Sequence, residues 1–263
     1  MADSIFTPLE DGRFEPTEHA RGPWDPRALH GGAPAALIAR AFERLEPGAE
    51  LPIARLGFEF LKPIPLAPLT LSTTIMRAGR RVQELAAELR AGEELICRAS
   101  ALRIQPVPAG LPSAGPTPAK AMPGPEQGKA AVEFSLNRAA GASLATTGME
   151  MSWLTDPWDR GPGQVWMRLR HPFLPDEPAT PLVRLVATAD FGNGVSAELP
   201  FDEYLFINAD LTIHLWRAPQ GEWIGLDAHT LLYDDGIGIA ESVLHDASGP
   251  IGRAFQTLVV QPR

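Results

Sequence analysis

Apolar and polar positions in PAALIARAFERL, residues 34–45, repeat with a helical period: Leu37, Ile38, Ala41, Phe42 and Leu45 share a face turned from Arg40, Glu43 and Arg44. The pattern predicts an amphipathic helix of about three turns opened by Pro34. After it the pattern changes to alternating or β-rich runs: ARLGFEFL from Ala54, LTLSTTIM from Leu69, VQELAAELR from Val82 and ELICRASALRI from Glu94. Turn residues separate them, as in an antiparallel meander. The second half repeats the order. A helical run, TPLVRLVATADF from Thr180, precedes INADLTIHLW from Ile207, EWIGLDAHTLL from Glu222, GIGIAESVL from Gly236 and PIGRAFQTLVV from Pro250.

Two local echoes strengthen the repeat: ICRASALRIQP ends at Pro106 and IGRAFQTLVVQP at Pro262, an offset of about 155 residues. Between the halves, seven prolines from Pro106 to Pro125 exclude a helix or a central strand. The expected organisation is an N-terminal unit over 1–104, a proline-rich linker over 105–130 and a C-terminal unit over 131–263. A helix followed by several antiparallel strands must bury the apolar face of its sheet against that helix. The fold class is therefore α+β, two helix-plus-antiparallel-sheet repeats in one chain.

At 263 residues with 44% hydrophobic content, a core of ordinary size is available. The net charge of −9 argues against nucleic acid and against electrostatic binding to anionic membranes, leaving small molecules or proteins as partners. A lone cysteine, Cys97, closes no internal disulfide and has no CxxC companion. The opening MADSIFTPLEDGRFEP has no basic and apolar leader pattern, and no run of 18 uncharged apolar residues occurs, so a cytoplasmic protein without membrane insertion is expected. The histidines show no HxxxH or HxH spacing, so no metal is expected. No GxSxG elbow or GxxxxGK[ST] loop occurs.

The segments HGGAPAALIARAFERL, ADFGNGV, and NADLTIHLWRAPQGEWIGLDAHT with GIAESVLHDASGPIGRAFQTLVV together resemble the thioesterase-like superfamily, which includes bacterial acyl-CoA thioesterase II. The resemblance implies a double hotdog fold and hydrolysis of an acyl-CoA thioester to free acid and coenzyme A. Coenzyme A then enters only as part of the substrate, with no separate cofactor. In that family an Asp, a Thr or Ser and a Gln order the attacking water. Carried over residue by residue, the resemblance implies Asp210, Thr230 and Gln256, with Thr230 reached only by a one-residue shift.

Such hydrolysis needs a water activated by polar groups and donors for the developing oxyanion. Thr230 falls in phase with Ile224, Leu226 and Ala228, and Gln256 with Ala254 and Leu258, so both point to the apolar side. Asp210 shares phase with Thr212, His214 and Trp216, which puts it outward unless a bulge re-aims it. His30, Gly31 and Gly32 precede the first helix, where backbone N–H groups and the helix dipole favour negative charge. Gly32 is the expected oxyanion donor, and His30 a group to polarise the carbonyl or carry a proton. The bland readings are a tight turn at the glycines, a structural histidine, a backbone-bonded threonine and a core-edge amide. Two other functions fit: a non-catalytic acyl-CoA binder, and a hotdog enoyl-CoA hydratase or dehydratase using an Asp–His pair. A homo-oligomer is compatible with all three.

Overall fold

The computed structural model describes residues 4–107, 110–111, 120–130 and 141–263. Part of the linker and the expected start of the C-terminal unit at residue 131 lie outside the described residues. The first unit comprises β1 (Phe6–Pro8), β2 (Phe14–Pro16), α1 (Gly32–Arg44), β3 (Ile53–Phe60), β4 (Leu69–Ala78), β5 (Val82–Ala91) and β6 (Glu94–Ile104). Then follow β7 (Lys129–Ala130), β8 (Met149–Trp153), β9 (Gly163–Leu169), α2 (Pro181–Ala189) and α3 (Gly192–Val195). The chain closes with β10 (Tyr204–Asn208), β11 (Asp210–Leu215), β12 (Ile224–Leu232), β13 (Ile237–Asp246) and β14 (Gly249–Pro262).

All the strands form one antiparallel sheet in the order β1-β2-β4-β5-β6-β3-β11-β14-β13-β12-β9-β8-β7, with β10 paired to β14. The run β4-β5-β6-β3 is repeated in reverse as β11-β14-β13-β12, and the halves meet where β3 pairs with β11. The two expected helix-plus-sheet repeats are thus present and fused edge to edge. The sheet buries its inner face on α1 and α2. Leu37, Ile38 and Phe42 from α1, Leu185 and Val186 from α2, and Leu56, Leu211, Ile213 and Leu226 from the sheet belong to one core.

The helices lie antiparallel and close. A Cβ on Gly32 would sit 2.5 Å from the Ala187 carbonyl oxygen, so only glycine lets α1 start there. At the other end, Arg40 makes a two-pronged ion pair with Glu177 (2.7 and 2.6 Å), Arg44 adds a third contact at 2.8 Å, and the Thr180 hydroxyl donates to Glu43. Thr180 also caps α2, accepting from the Val183 N–H.

Six strands escape the periodicity wholly or in large part: β1, β2, β7, β8, β9 and β10. In β9 the consecutive Val165, Trp166 and Met167 are all buried, which erases alternation. The proline-rich segment is the reason. Trp166 donates its indole N–H to the Pro123 carbonyl at 2.7 Å, and Ser152 donates to the Pro125 carbonyl at 2.6 Å. The end of the segment therefore covers the outer face of β8 and β9, then joins the sheet as edge strand β7. No helix among the described residues is long and apolar enough to cross a membrane.

Candidate functional site

Alternation in Leu211, Ile213 and Leu215 would put Asn208 outward with Asp210. The strand is broken instead. Asn208 pairs with Leu258 and Thr212 with Phe255, so the three residues 209–211 oppose only two on β14, 256–257, a bulge at Ala209. The extra residue turns Asn208 to the inner face and leaves Asp210 outside, directly across from Glu59 of β3. A bulge does occur here, but it re-aims Asn208; Asp210, the residue expected to be turned inward, stays outside.

Asn208 reaches Asp190, which follows the last turn of α2. Asp190 Oδ1 accepts from Asn208 Nδ2 at 2.8 Å and Gln256 Nε2 at 3.1 Å, while Oδ2 lies 3.0 Å from His30 Nδ1. The Asp190 side chain is only 3% exposed. Gln256, 1% exposed, also donates to the Asp190 carbonyl and accepts from the Asn193 N–H at 2.9 Å. A Cβ on Gly192 would come within 2.8 Å of Gln256 Oε1, so this glycine gives the amide its room. The side chains of Asp190, Asn208 and Gln256 all have partners, as a low-dielectric site demands.

His30 lies at the start of α1, its ring stacked on Phe191 with centroids 4.1 Å apart. Gly31 at the N-cap has no side chain to cap the helix, and the Gly32 N–H points at His30 Nδ1, 3.1 Å away. A Cβ on Gly31 would stand 2.8 Å from Asp190 Oδ2 and 3.1 Å from the Phe60 ring, so the glycine pair admits the carboxylate to the N-terminus of α1. There the helix dipole favours its charge. The same carboxylate sits against the dipole rule at the C-terminus of its own helix α2.

These groups line a cavity of about 560 Å³ between the two units. His30, Gly31, Asp190 and Asn208 supply its polar side. Trp24, Trp153, Met167, Phe191 and Phe201 supply apolar walls, and Leu61, Ile207 and Val259, all substantially exposed, lie at its opening.

Of the residues expected from the sequence, His30 and Gly31 line the cavity, Gly32 stands directly behind them, and Gln256 backs Asp190. Asp210 and Thr230 are not brought to it. Asp210 Oδ1 accepts from the Thr257 N–H at 2.7 Å on the outer face of the sheet. Thr230 is buried as its phase requires, but its hydroxyl meets Ser196 at 2.7 Å, and Ser196 donates to the Gly192 carbonyl. Thr230 thus braces α3. Asp190 and Asn208 are the residues that sequence reasoning missed. The signal for Asp190 was a carboxylate ending an apolar helix, where the dipole disfavours it; for Asn208 none precedes the bulge. Cys97 takes no part: burial pushes its thiol up to about 12, so it is no nucleophile at neutral pH. Among the described residues no group of three His, Cys, Asp or Glu side chains is placed to hold a metal ion.

Comparisons with known proteins agree with this layout. A family described as acyl-CoA thioesterase N-terminal domain matches residues 20–104, and one described as acyl-CoA thioesterase C-terminal domain matches residues 114–260. Among solved structures, a proposed thioesterase II from Thermobifida fusca is 17% identical, with a TM-score of 0.75 over 98% of this chain and 96% of that one. A protein with a hot dog fold from Alicyclobacillus acidocaldarius is 15% identical, with a TM-score of 0.72 over 99% and 97%. Acyl-CoA thioesterase II from Mycobacterium marinum, 15% identical, superposes with a TM-score of 0.65 over 98% and 95%. At these identities the likeness is one of fold, the double hotdog. No curated protein sequence matches the chain.

Proposed function

Because the chain belongs to the acyl-CoA thioesterase family, with its N-terminal and C-terminal domains in order, we propose that it hydrolyses an acyl-CoA thioester to a free acid and coenzyme A. The observation that carries this reading is the buried Asp190 carboxylate, held by Asn208, Gln256 and His30 at the wall of an apolar cavity that reaches the start of α1 at Gly31. The acyl group fits against the aromatic walls, with its carbonyl toward Gly31. A water beside the His30–Asp190 pair loses a proton to that pair as its oxygen bonds the carbonyl carbon. The negative charge on the carbonyl oxygen is met by the Gly31 N–H at the start of α1, where the cavity reaches the helix. The C–S bond then breaks and the proton passes to the sulfur of coenzyme A. No covalent acyl-enzyme and no cofactor are part of this reading, and Asn208 and Gln256 hold the Asp190 carboxylate in place beside His30.

The test is release of free thiol from a panel of acyl-CoA esters of different length. No release across the panel would sink the proposal. One observation favours a second reading: an Asp–His pair facing the cavity is what an enoyl-CoA hydratase or dehydratase requires. Conversion of an enoyl-CoA to a hydroxyacyl-CoA, with no free thiol, decides for it.

A further inference from the structure

We propose that His30 is the group that takes the proton from the attacking water, and that Asp190 is a positioning residue acting through it; this rests on the thioester-hydrolysis reading above. The reason lies in one nitrogen with two claims on it. His30 Nδ1 is 3.0 Å from Asp190 Oδ2 and 3.1 Å from the Gly32 backbone nitrogen. Toward the carboxylate it must donate; toward the amide N–H it must accept. In a neutral imidazole Nδ1 does one or the other. A hydrogen bond to a charged, buried carboxylate is roughly twice as strong as one between neutral groups, and the opposite tautomer would set a lone pair against that charge. Nδ1 therefore carries the hydrogen and gives it to Asp190.

Two consequences follow from that tautomer. The basic nitrogen becomes Nε2, which has no hydrogen-bond partner among the described residues and belongs to a ring that lines the cavity and is locked by Phe191. Asp190, by contrast, has three of its roughly four acceptor directions taken, by Asn208, Gln256 and His30, so a cavity water meets the imidazole rather than the carboxylate. The Gly32 N–H, which points at Nδ1 and not into the cavity, loses its acceptor in this tautomer.

The proton balance is closed. One proton of water goes to Nε2 as the water oxygen bonds the carbonyl carbon, giving an imidazolium that Asp190 holds through Nδ1–H. When the C–S bond breaks, the Nε2 proton goes to the departing sulfur. His30 returns to neutral, and water and thioester have become acid and thiol.

The experiment is thiol release by the full-length chain carrying His30→Ala or Asp190→Ala, each with and without added imidazole. His30→Ala is expected to lose about 10²–10⁴-fold in kcat and to recover at least about tenfold as imidazole fills the vacated cavity wall. Asp190→Ala is expected not to respond to imidazole. A His30→Ala enzyme within about threefold of wild type, or one whose loss imidazole leaves unchanged, overturns the assignment. If His30→Ala does not fold, His30→Asn decides. Its amide can still donate to Asp190 but offers no basic nitrogen, so a loss of at least about 100-fold in kcat with little change in KM supports the role, and a loss within threefold refutes it. Wild type without thiol release would defeat the thioesterase reading itself; an active wild type with no imidazole response defeats only this assignment.

Discussion

Asp190 and Asp210 stand on opposite faces of the sheet, and each is met by different donors. Asp190 holds two amides and an imidazole in a buried site, while Asp210 caps a single backbone N–H outside. Exchanging the carboxylates for neutral groups therefore separates chemistry from surface structure. Asp190→Asn is expected to lower kcat/KM by about 10²–10⁴-fold with the fold retained. Asp210→Ala is expected to leave kcat/KM within about twofold while costing about 1 kcal/mol in urea denaturation, the net worth of one hydrogen bond. Equal losses from both substitutions would contradict the site. Gly31→Ala is a third case: its methyl meets the Asp190 carboxylate at 2.8 Å, so the thiol-release rate should fall by at least about tenfold even if the melting temperature moves little.

At the scale of elements, the sequence makes the helices and the long strands legible, because α1, β4, β5 and β6 carry clean periodicity. What hid the site was a single extra residue. The phase of Leu211 and Ile213 cannot be carried back across Ala209, so Asn208 reads as outward in sequence and is inward in space. Strands β8 and β9 were illegible for another reason: the proline-rich cover buries both of their faces, and alternation signals only a half-buried strand. Thr230 shows the limit of phase itself, which gave its side of the sheet and not its partner, Ser196. The contact between helices carries its own prediction. The Arg40 hydrogen bonds, then burial against them, then the Arg40 and Arg44 charges act on Glu177, whose carboxyl is held below the usual glutamate range. A depressed folded value means stability that is present above the unfolded value and lost as pH falls through the folded one. Glu177→Gln should thus cost about 1 kcal/mol near pH 7, a cost that shrinks as pH falls below the usual glutamate range and through the lowered folded value. Glu43 beside it is pushed up by burial and titrates in the opposite sense, so the wild-type-minus-variant difference in urea denaturation is the quantity to measure.

For the whole molecule, the pairing of β3 with β11 and the packing of α1 on α2 leave neither unit a separate core. The chain should unfold as one cooperative body. Of its six tryptophans only Trp24 lies in the first unit, so fluorescence reports mainly the second, while far-UV circular dichroism reports both. Coincident denaturation midpoints are expected; two separated midpoints would show that the halves come apart independently.

The antiparallel helix pair has two ends that the repeat makes equivalent, and they have been put to different uses. One end holds His30, Gly31 and Asp190, with a buried carboxylate against a glycine helix start. The other holds Glu177 clasped by Arg40 and Arg44, and Thr180 on Glu43. A symmetric pair of identical subunits would have to make the same compromise between tightness and reactivity at both ends, since every substitution appears twice. Fusion releases that constraint. An engineer seeking a more heat-resistant variant can strengthen the arginine clasp, or add to it, without touching a residue that faces the cavity.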